Sequence, residues 1–414
     1  MLVFGDNRAN SADGRRFLAP CSAEGDGPQR GAICVVTLDT GRARRLLDIA
    51  SYAEYAPPGL LVYVEGTSLL AQPFDAESLR LSGEPTRLAD GMESWAGIGV
   101  PSFSVSTNGV LVHQGVGGQA HLLWKDRSGG DRGEAGPRGI YEYVRLAPDG
   151  RRAVASLRHP QHGVSELSIV DLERRVSTRF TPENPDTLFP VWSPDGSRIA
   201  YCRPRNGPPS LHVKSLGGGA ERVLLPSAGS MQCASDWSSD GRHLLFTERH
   251  PGTGMDIWLL ATDSGRPPTP LVRTSFRELS ASFSPDTRWV AYASDESGEP
   301  EIYVQPFPGP GERIRVSVEG GTLPRWRRDG GELYYLDSSE RLVAVPIGSG
   351  STPQVGAPVP LFRLETGGSP DVAGRYDVSA DGQRFLVIAP ESAAAPGATV
   401  VLDWPAALSA ADPD

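Results

Sequence analysis

Six aspartates recur along the chain at nearly equal spacing: from Asp149 the intervals to Asp195, Asp240, Asp286, Asp329 and Asp381 are 46, 45, 46, 43 and 52 residues. Carboxylates do acid–base work when two of them converge on one substrate. A single carboxylate at the same place in each of six successive units cannot do this, so the ladder assigns these residues to turns. His159-Pro160-Gln161-His162 holds the one close histidine pair, in a polar stretch that reads as a solvated loop, because a metal site needs three or four convergent ligands. Neither a Gly-x-Ser-x-Gly elbow nor a following α/β segment is present, which argues against hydrolytic chemistry of the α/β-hydrolase kind. The four cysteines, Cys21, Cys34, Cys202 and Cys233, show no Cys-x-x-Cys spacing and read as buried structural thiols. A Cys21–Cys34 disulfide stays open, since one hairpin could bring the pair together. No catalytic residue, metal or cofactor is expected.

The elements that carry these residues repeat. Trp192-Ser193-Pro194-Asp195-Gly196, Trp237-Ser238-Ser239-Asp240-Gly241 and Phe283-Ser284-Pro285-Asp286-Thr287 each precede a β-branched or aromatic run. Weaker copies centre on Asp149-Gly150, Asp329-Gly330 and Asp381-Gly382, and three more degenerate ones on Asp13-Gly14, Pro58-Gly59 and Asn108-Gly109. In such a turn Pro presets φ, the Asp carboxylate bonds nearby amides and Gly takes a positive φ. A third strand follows about a dozen residues on, as at Leu211-His212-Val213-Lys214-Ser215-Leu216, and a Gly-rich turn leads to a fourth.

Nine such units of about 45 residues account for the 414-residue length, and the turns account for much of the 48 Gly and 37 Pro. No helical period of useful length appears, so helices cannot cover the sheets and the sheets must cover each other. An all-β propeller of four-stranded antiparallel blades is the expected fold. Trp192, Trp237, Phe283, Trp289 and Trp326 then belong to the core between blades.

Ring closure has two readings. The last copy supplies two strands around Asp381-Gly382 and a third at Thr399-Val400-Val401-Leu402-Asp403-Trp404, and lacks a fourth. If residues near Asp131-Arg132-Gly133-Glu134 provide it, 121–405 form a six-bladed ring, 1–120 are three further blades and 406–414 a disordered tail. If the strand comes from near Met1, one ring of eight or nine blades results. Better preservation of the last six copies favours the former.

Net charge is −10, from 40 basic and 50 acidic residues. That balance argues against nucleic acid and anionic membrane as partners. No stretch approaches the length of a membrane span and the first residues lack a signal-peptide pattern, so insertion by this chain itself is not expected.

The aromatic-Ser-Pro-Asp-Gly turns resemble those of TolB-like and WD-repeat-like propellers, a likeness covering about 1–405. A closer likeness is carried by Tyr55-Ala56-Pro57-Pro58-Gly59, Asp295-Glu296-Ser297-Gly298, Tyr303-Val304-Gln305-Pro306-Phe307-Pro308-Gly309 and Pro324-Arg325-Trp326-Arg327-Arg328-Asp329-Gly330. These segments are similar to the C-terminal propeller region of bacterial membrane-anchored serine/threonine protein kinases, which implies an extracytoplasmic, periplasmic location if the chain is attached to such a kinase. The kinase motifs themselves are missing, and Ala389-Pro390-Glu391 is a chance match after the last repeat.

In a propeller the innermost strands line an axial channel, so the residues before each turn are the candidate binding rim. They are Glu142, Tyr143 and Arg145 in one copy, Asp186, Asp236 and Glu278 in the next three, Arg325 in the fifth, and Arg375, Tyr376 and Asp377 in the last. The expected function is a noncatalytic sensor or scaffold that binds a protein, a peptide or a polar small molecule. The alternatives are a lactonase-like or other hydrolytic enzyme with its site in the channel, or the propeller of a prolyl-oligopeptidase-type peptidase.

Overall fold

The structure, a computed structural model, describes residues 16–21, 32–49, 51–57, 59–92, 103–113, 119–159, 164–181, 186–203, 209–227, 230–250, 252–263, 265–309, 311–348, 350, 352–364, 374–391 and 398–405. The tail expected at 406–414 and most of the His159–His162 loop lie outside them. Every named element is a β-strand, and all pairings are antiparallel. The chain is an all-β propeller.

Four of the turns expected from sequence form by one local network. In the second ring blade the Ser193 hydroxyl accepts from the Arg198 amide at 2.9 Å, and Asp195 Oδ1 accepts from Ser193 Oγ at 2.5 Å and from the Ser197 amide at 3.0 Å. Gly196 closes the turn at φ +67°. Ser238/Asp240, Ser284/Asp286 and Ser379/Asp381 repeat the arrangement. Serine thus shares the turn with aspartate, and the Asp195 carboxyl is held down at about 2 chiefly by the Ser193 hydroxyl and the Ser197 amide.

Six sheets follow one another around an axis. Their innermost strands are Ile140–Leu146, Leu188–Trp192, Gln232–Trp237, Glu278–Phe283, Thr322–Trp326 and Tyr376–Val378, each next to the following one, with the sixth returning to the first. The Val144 amide donates to Gly374 O at 2.9 Å across that last junction. The second strands are buried on both faces: Ile199, Ala200 and Tyr201 are all wholly inaccessible, as expected where neighbouring blades cover both sides of a sheet. The same logic places Trp192 between blades, under the Arg152 guanidinium and donating its indole N–H to Arg145 O at 3.1 Å. Arg198 covers Trp237 in the same way one blade on.

The sixth blade corrects the sequence reading of its third strand. Arg384–Pro390 pairs with Ala120–Asp126, in register from Ala120 opposite Pro390 to Asp126 opposite Arg384, and Asp131–Glu134 lies outermost. Thr399–Val401 leaves this blade and pairs with Leu111–His113, beside Phe103–Val105. The reason is burial. Ala120–Asp126 has the alternation that buries Ala120, Leu122 and Trp124, whereas Val400 and Leu402 are largely exposed and the anchor of the terminal strand is Trp404, buried with Val62, Phe103 and Leu111.

Upstream, Arg16–Cys21, Ala32–Thr37 and Ala43–Leu47 form one sheet, and Ala53–Ala56 begins a five-stranded one. Cys21 and Cys34 are disulfide-bonded across the first of these hairpins. Cys202 and Cys233 are buried free thiols on adjacent ring blades.

Candidate functional site at the ring axis

Counting back five places from the turn glycine of each ring blade, or from Thr287 where that glycine is replaced, gives Arg145, Val191, Asp236, Ser282, Arg325 and Asp377. All six line one cavity of about 250 Å³ on the turn side of the axis. One place further on, Trp192, Trp237, Phe283 and Trp326 form part of its wall, and Pro148, Pro194 and Pro285 of the turns surround the mouth. These turns pack in sequence, with Pro148 against Gly196, Pro194 against Gly241 and Pro285 against Gly330. Arg328 reaches from the fifth turn to Pro148 O at 2.9 Å, skipping the sixth blade.

Bulges decide which side chains reach this cavity. Phe189, Ser280 and Leu323 occupy the same place in three inner strands, with φ of 53°, 57° and 57°, and the register of each strand shifts there. Simple two-residue alternation therefore fails along these strands.

Four of the ten rim residues expected from sequence meet at the cavity: Arg145, Asp236, Arg325 and Asp377. The two carboxylates are engaged with the blade that follows. Asp236 Oδ2 accepts from the Phe283 amide at 2.8 Å and Ser282 Oγ at 3.0 Å, and Oδ1 from the Trp237 amide at 2.9 Å. Asp377 Oδ2 accepts from the Leu146 amide at 2.7 Å, across the ring junction, and Oδ1 from the Val378 amide at 2.9 Å. Burial pushes the Asp236 carboxyl up, against the opposing pull of Arg145, the Phe283 amide and Arg325. Glu54, five places before Gly59, makes the same bond in the N-terminal sheets, to the Val105 amide at 2.7 Å. Sequence reading passed over Glu54, although its position relative to the turn was the signal.

The two arginines are less fully engaged. Arg145 Nη2 donates to Ser235 O at 2.9 Å, two blades away, and Arg325 Nη1 to its neighbour Pro324 O at 2.8 Å. Both side chains have a buried Nε with no partner. Burial and the adjacent Arg145 charge hold the Arg325 guanidinium below its ordinary value.

The remaining rim candidates lie apart from this cavity. Tyr143 is buried edge-on against Phe189, and Tyr376 donates to Leu323 O at 2.7 Å. Glu142 is bound by Arg158 at 2.8 Å and by Ser165, and Asp186 accepts from the Ser165 amide at 3.3 Å. Glu278 accepts from Thr274, and burial raises its carboxyl. The Arg375 carbonyl accepts from the Ile388 amide at 3.0 Å, which fixes the entry to the sixth blade.

One further constellation has the order of a hydrolase relay: Ser210 Oγ is 2.9 Å from His212 Nε2, and His212 Nδ1 pairs with Glu221. His212 is wholly buried and Glu221 also binds Arg203 at 2.5 Å, so the relay is a closed interior network of the second blade. Among the described residues no three His, Cys, Asp or Glu side chains are grouped to hold a metal ion.

Comparison with known proteins identifies the fold. Residues 184–355 match the PD40 family, described as TolB beta propeller domain. The chain is an all-β propeller that over this stretch is similar to TolB propellers. Its curated relatives include the Tol-Pal system protein TolB of Alcanivorax borkumensis, 30% identical over 117 residues, covering 27% of each chain. TolB of Bordetella pertussis is 29% identical over 139 residues, or 33% of this chain and 31% of its own. The chain thus spans about a third or less of the length of these relatives. A solved structure described as TolB from Agrobacterium tumefaciens superposes with a TM-score of 0.51 at 16% identity, over 66% of this chain and 99% of that one. No helix among the described residues is long and apolar enough to cross a membrane.

Proposed function

We propose that this propeller is a noncatalytic binding module that takes a protein segment or a polar small molecule at the turn-side end of its axis. The six-bladed ring, which runs from Ala120 to Pro390 and not to 405, is the binding unit in this reading, and the upstream blades are a separate set. One observation carries it: the equivalent residue of all six ring blades faces a single cavity, and these residues include two arginines with unpartnered buried Nε atoms. A relay buried in an outer strand offers a substrate no comparable access.

The test is a thermal-shift screen of peptides and polar small molecules on the wild-type chain and on Ser282→Trp, which fills the cavity. A ligand that raises the melting temperature of the first and not of the second supports the reading. Ligands that act equally on both would place binding elsewhere. The likeness to kinase-borne propellers supports a receptor or scaffold setting, with the propeller outside the cytoplasm. An in-frame kinase domain and membrane helix encoded upstream of Met1 would support that setting, and an upstream sequence without them would remove it.

A further inference from the structure

We infer that the axial cavity is a carboxylate site, in which Arg145 and Arg325 hold a carboxylate presented by a peptide. This rests on the cavity being the binding site. Arg145 is 8% and Arg325 4% exposed, and both line the cavity. Each donates one hydrogen bond to a backbone carbonyl, and neither has a carboxylate within 4.0 Å among the described residues. A buried guanidinium with unused N–H groups leaves desolvated donors unpaired, at a cost that an acceptor entering the cavity removes.

The neighbouring acids do not meet that need: Asp236 and Asp377 are held on backbone amides and Ser282 Oγ, and neither pairs with either guanidinium within 4.0 Å. Among the residues that line the cavity, the buried polar side-chain atoms left without a partner are the two Nε donors. The two carboxylates also narrow the ligand class. Their charges oppose a doubly charged phosphate more strongly than a singly charged carboxylate, and the planar guanidinium fork matches a planar carboxylate. Proline and aromatic walls at the mouth suit the apolar flanks of a peptide. The carboxylate comes either from a chain terminus or from an acidic side chain.

Trp192, Trp237 and Trp326 line the cavity, so intrinsic fluorescence reports occupancy. N-acetyl-Ala-Ala with a free C-terminus, the same peptide as its C-terminal amide, N-acetyl-Asp-amide and inorganic phosphate are titrated into the wild-type chain, Arg325→Gln and Arg325→Lys. Saturable change with at least one carboxylate peptide is expected, at least tenfold weaker in Arg325→Gln, with partial recovery in Arg325→Lys and no response to the amide of the first peptide. Which peptide responds tells terminus from side chain. The inference is overturned if neither carboxylate peptide binds, if the amide or phosphate binds as well, or if Arg325→Gln binds unchanged. Should Arg325→Gln fail to fold by circular dichroism, the acid-against-amide comparison on the wild-type chain decides. A ligand without a carboxylate that distinguishes wild type from Ser282→Trp would overturn this inference and leave the cavity reading standing.

Discussion

Arg127 and Glu332, 205 positions apart, form a two-pronged ion pair in which Nη1 and Nη2 each lie 3.0 Å from a carboxylate oxygen. Arg127 follows the third strand of the sixth blade, and Glu332 opens the second strand of the fifth. The same guanidinium donates to Tyr334 Oη and to Gly382 O, both at 3.1 Å. A segment that enters the ring from upstream is thereby fastened to the two blades that close it. Arg127→Ala should destabilise the ring by about 2 kcal/mol, the range of a charge-assisted bidentate contact that is partly buried. Chemical denaturation of Arg127→Ala, Glu332→Gln and the double variant measures the coupling, and additive losses would exclude it.

The pH dependence of that pair has a definite sign. Burial would raise the Glu332 carboxyl, but hydrogen bonds from Arg127 and Tyr334 and the charges of Arg127 and Arg327 outweigh it and hold the value down. A carboxyl lowered on folding contributes stability above its unfolded value and loses it as pH falls through the folded one. The deficit of Arg127→Ala should therefore shrink as the solution is acidified below about pH 4.5. A deficit independent of pH would contradict the assignment.

Asp236 predicts the opposite slope. Its carboxyl is raised by burial, so ionisation opposes folding as pH rises from the unfolded carboxyl range through the folded value. Asp236→Asn keeps an acceptor for the Phe283 amide and cannot ionise. Relative to the wild-type chain it should gain stability from acid to neutral pH, whereas Asp236→Ala should lose about 1–3 kcal/mol by leaving that amide unpaired. Denaturation of the three proteins at several pH values checks both, and Asn and Ala variants of equal stability at neutral pH would sink the amide bridge.

Much of the fold was legible because its signal is local and repeated: the Ser-Pro-Asp-Gly turn fixes its own hydrogen bonds within six residues, wherever the blade lies. Ring closure was legible only in part. Ala120–Asp126 carries no turn motif of its own, and its pairing with Arg384–Pro390 is decided by which strand buries Leu122 and Trp124. The lining of the axial cavity, the candidate site, was half legible for a related reason. Position before the turn selected Arg145, Asp236, Arg325 and Asp377 together with Tyr143 and Tyr376, and alternation alone could not set Tyr143 apart from Arg145, two places on and so on the same strand face. Whether a carboxylate faces solvent or ties one blade to the next, as Glu54 and Asp377 do, depends on a partner some 50 or 231 residues distant.

The cysteines divide into two chemically distinct pairs. Cys21–Cys34 closes a short loop, and by loop-entropy reasoning its reduction should cost the N-terminal sheet about 3 kcal/mol. Cys202 and Cys233 lie with their sulfurs 3.2 Å apart, and burial pushes the Cys202 thiol well up, so both should resist alkylation while the ring is folded. Mass-spectrometric labelling should find Cys21 and Cys34 modified only after reduction, and Cys202 and Cys233 only after unfolding. Rapid labelling of the second pair in the native protein would contradict their placement.

Thr287 stands where the other five ring turns have glycine. Its φ is +58°, against +67° for Gly196 and +74° for Gly241. A β-branched residue in the left-handed region is strained by about 1–2 kcal/mol, whereas glycine adopts it freely and gives up about 0.5–1 kcal/mol of chain entropy. Thr287 recovers part of the difference through its hydroxyl, which lies 2.8 Å from Ser239 Oγ on the neighbouring turn, but that contact is exposed and weak. Thr287→Gly should therefore stabilise the ring slightly, by roughly 0.5 kcal/mol. The reverse change, Gly196→Thr, meets only ordinary contacts from Pro148 and Arg152 at its new Cβ and so should lose about 1 kcal/mol from backbone strain alone. Denaturation midpoints of the two variants should move in opposite directions. A Thr287→Gly ring weaker than wild type would mean that the Ser239 contact, joining the third and fourth turns at the cavity mouth, outweighs the strain it accompanies.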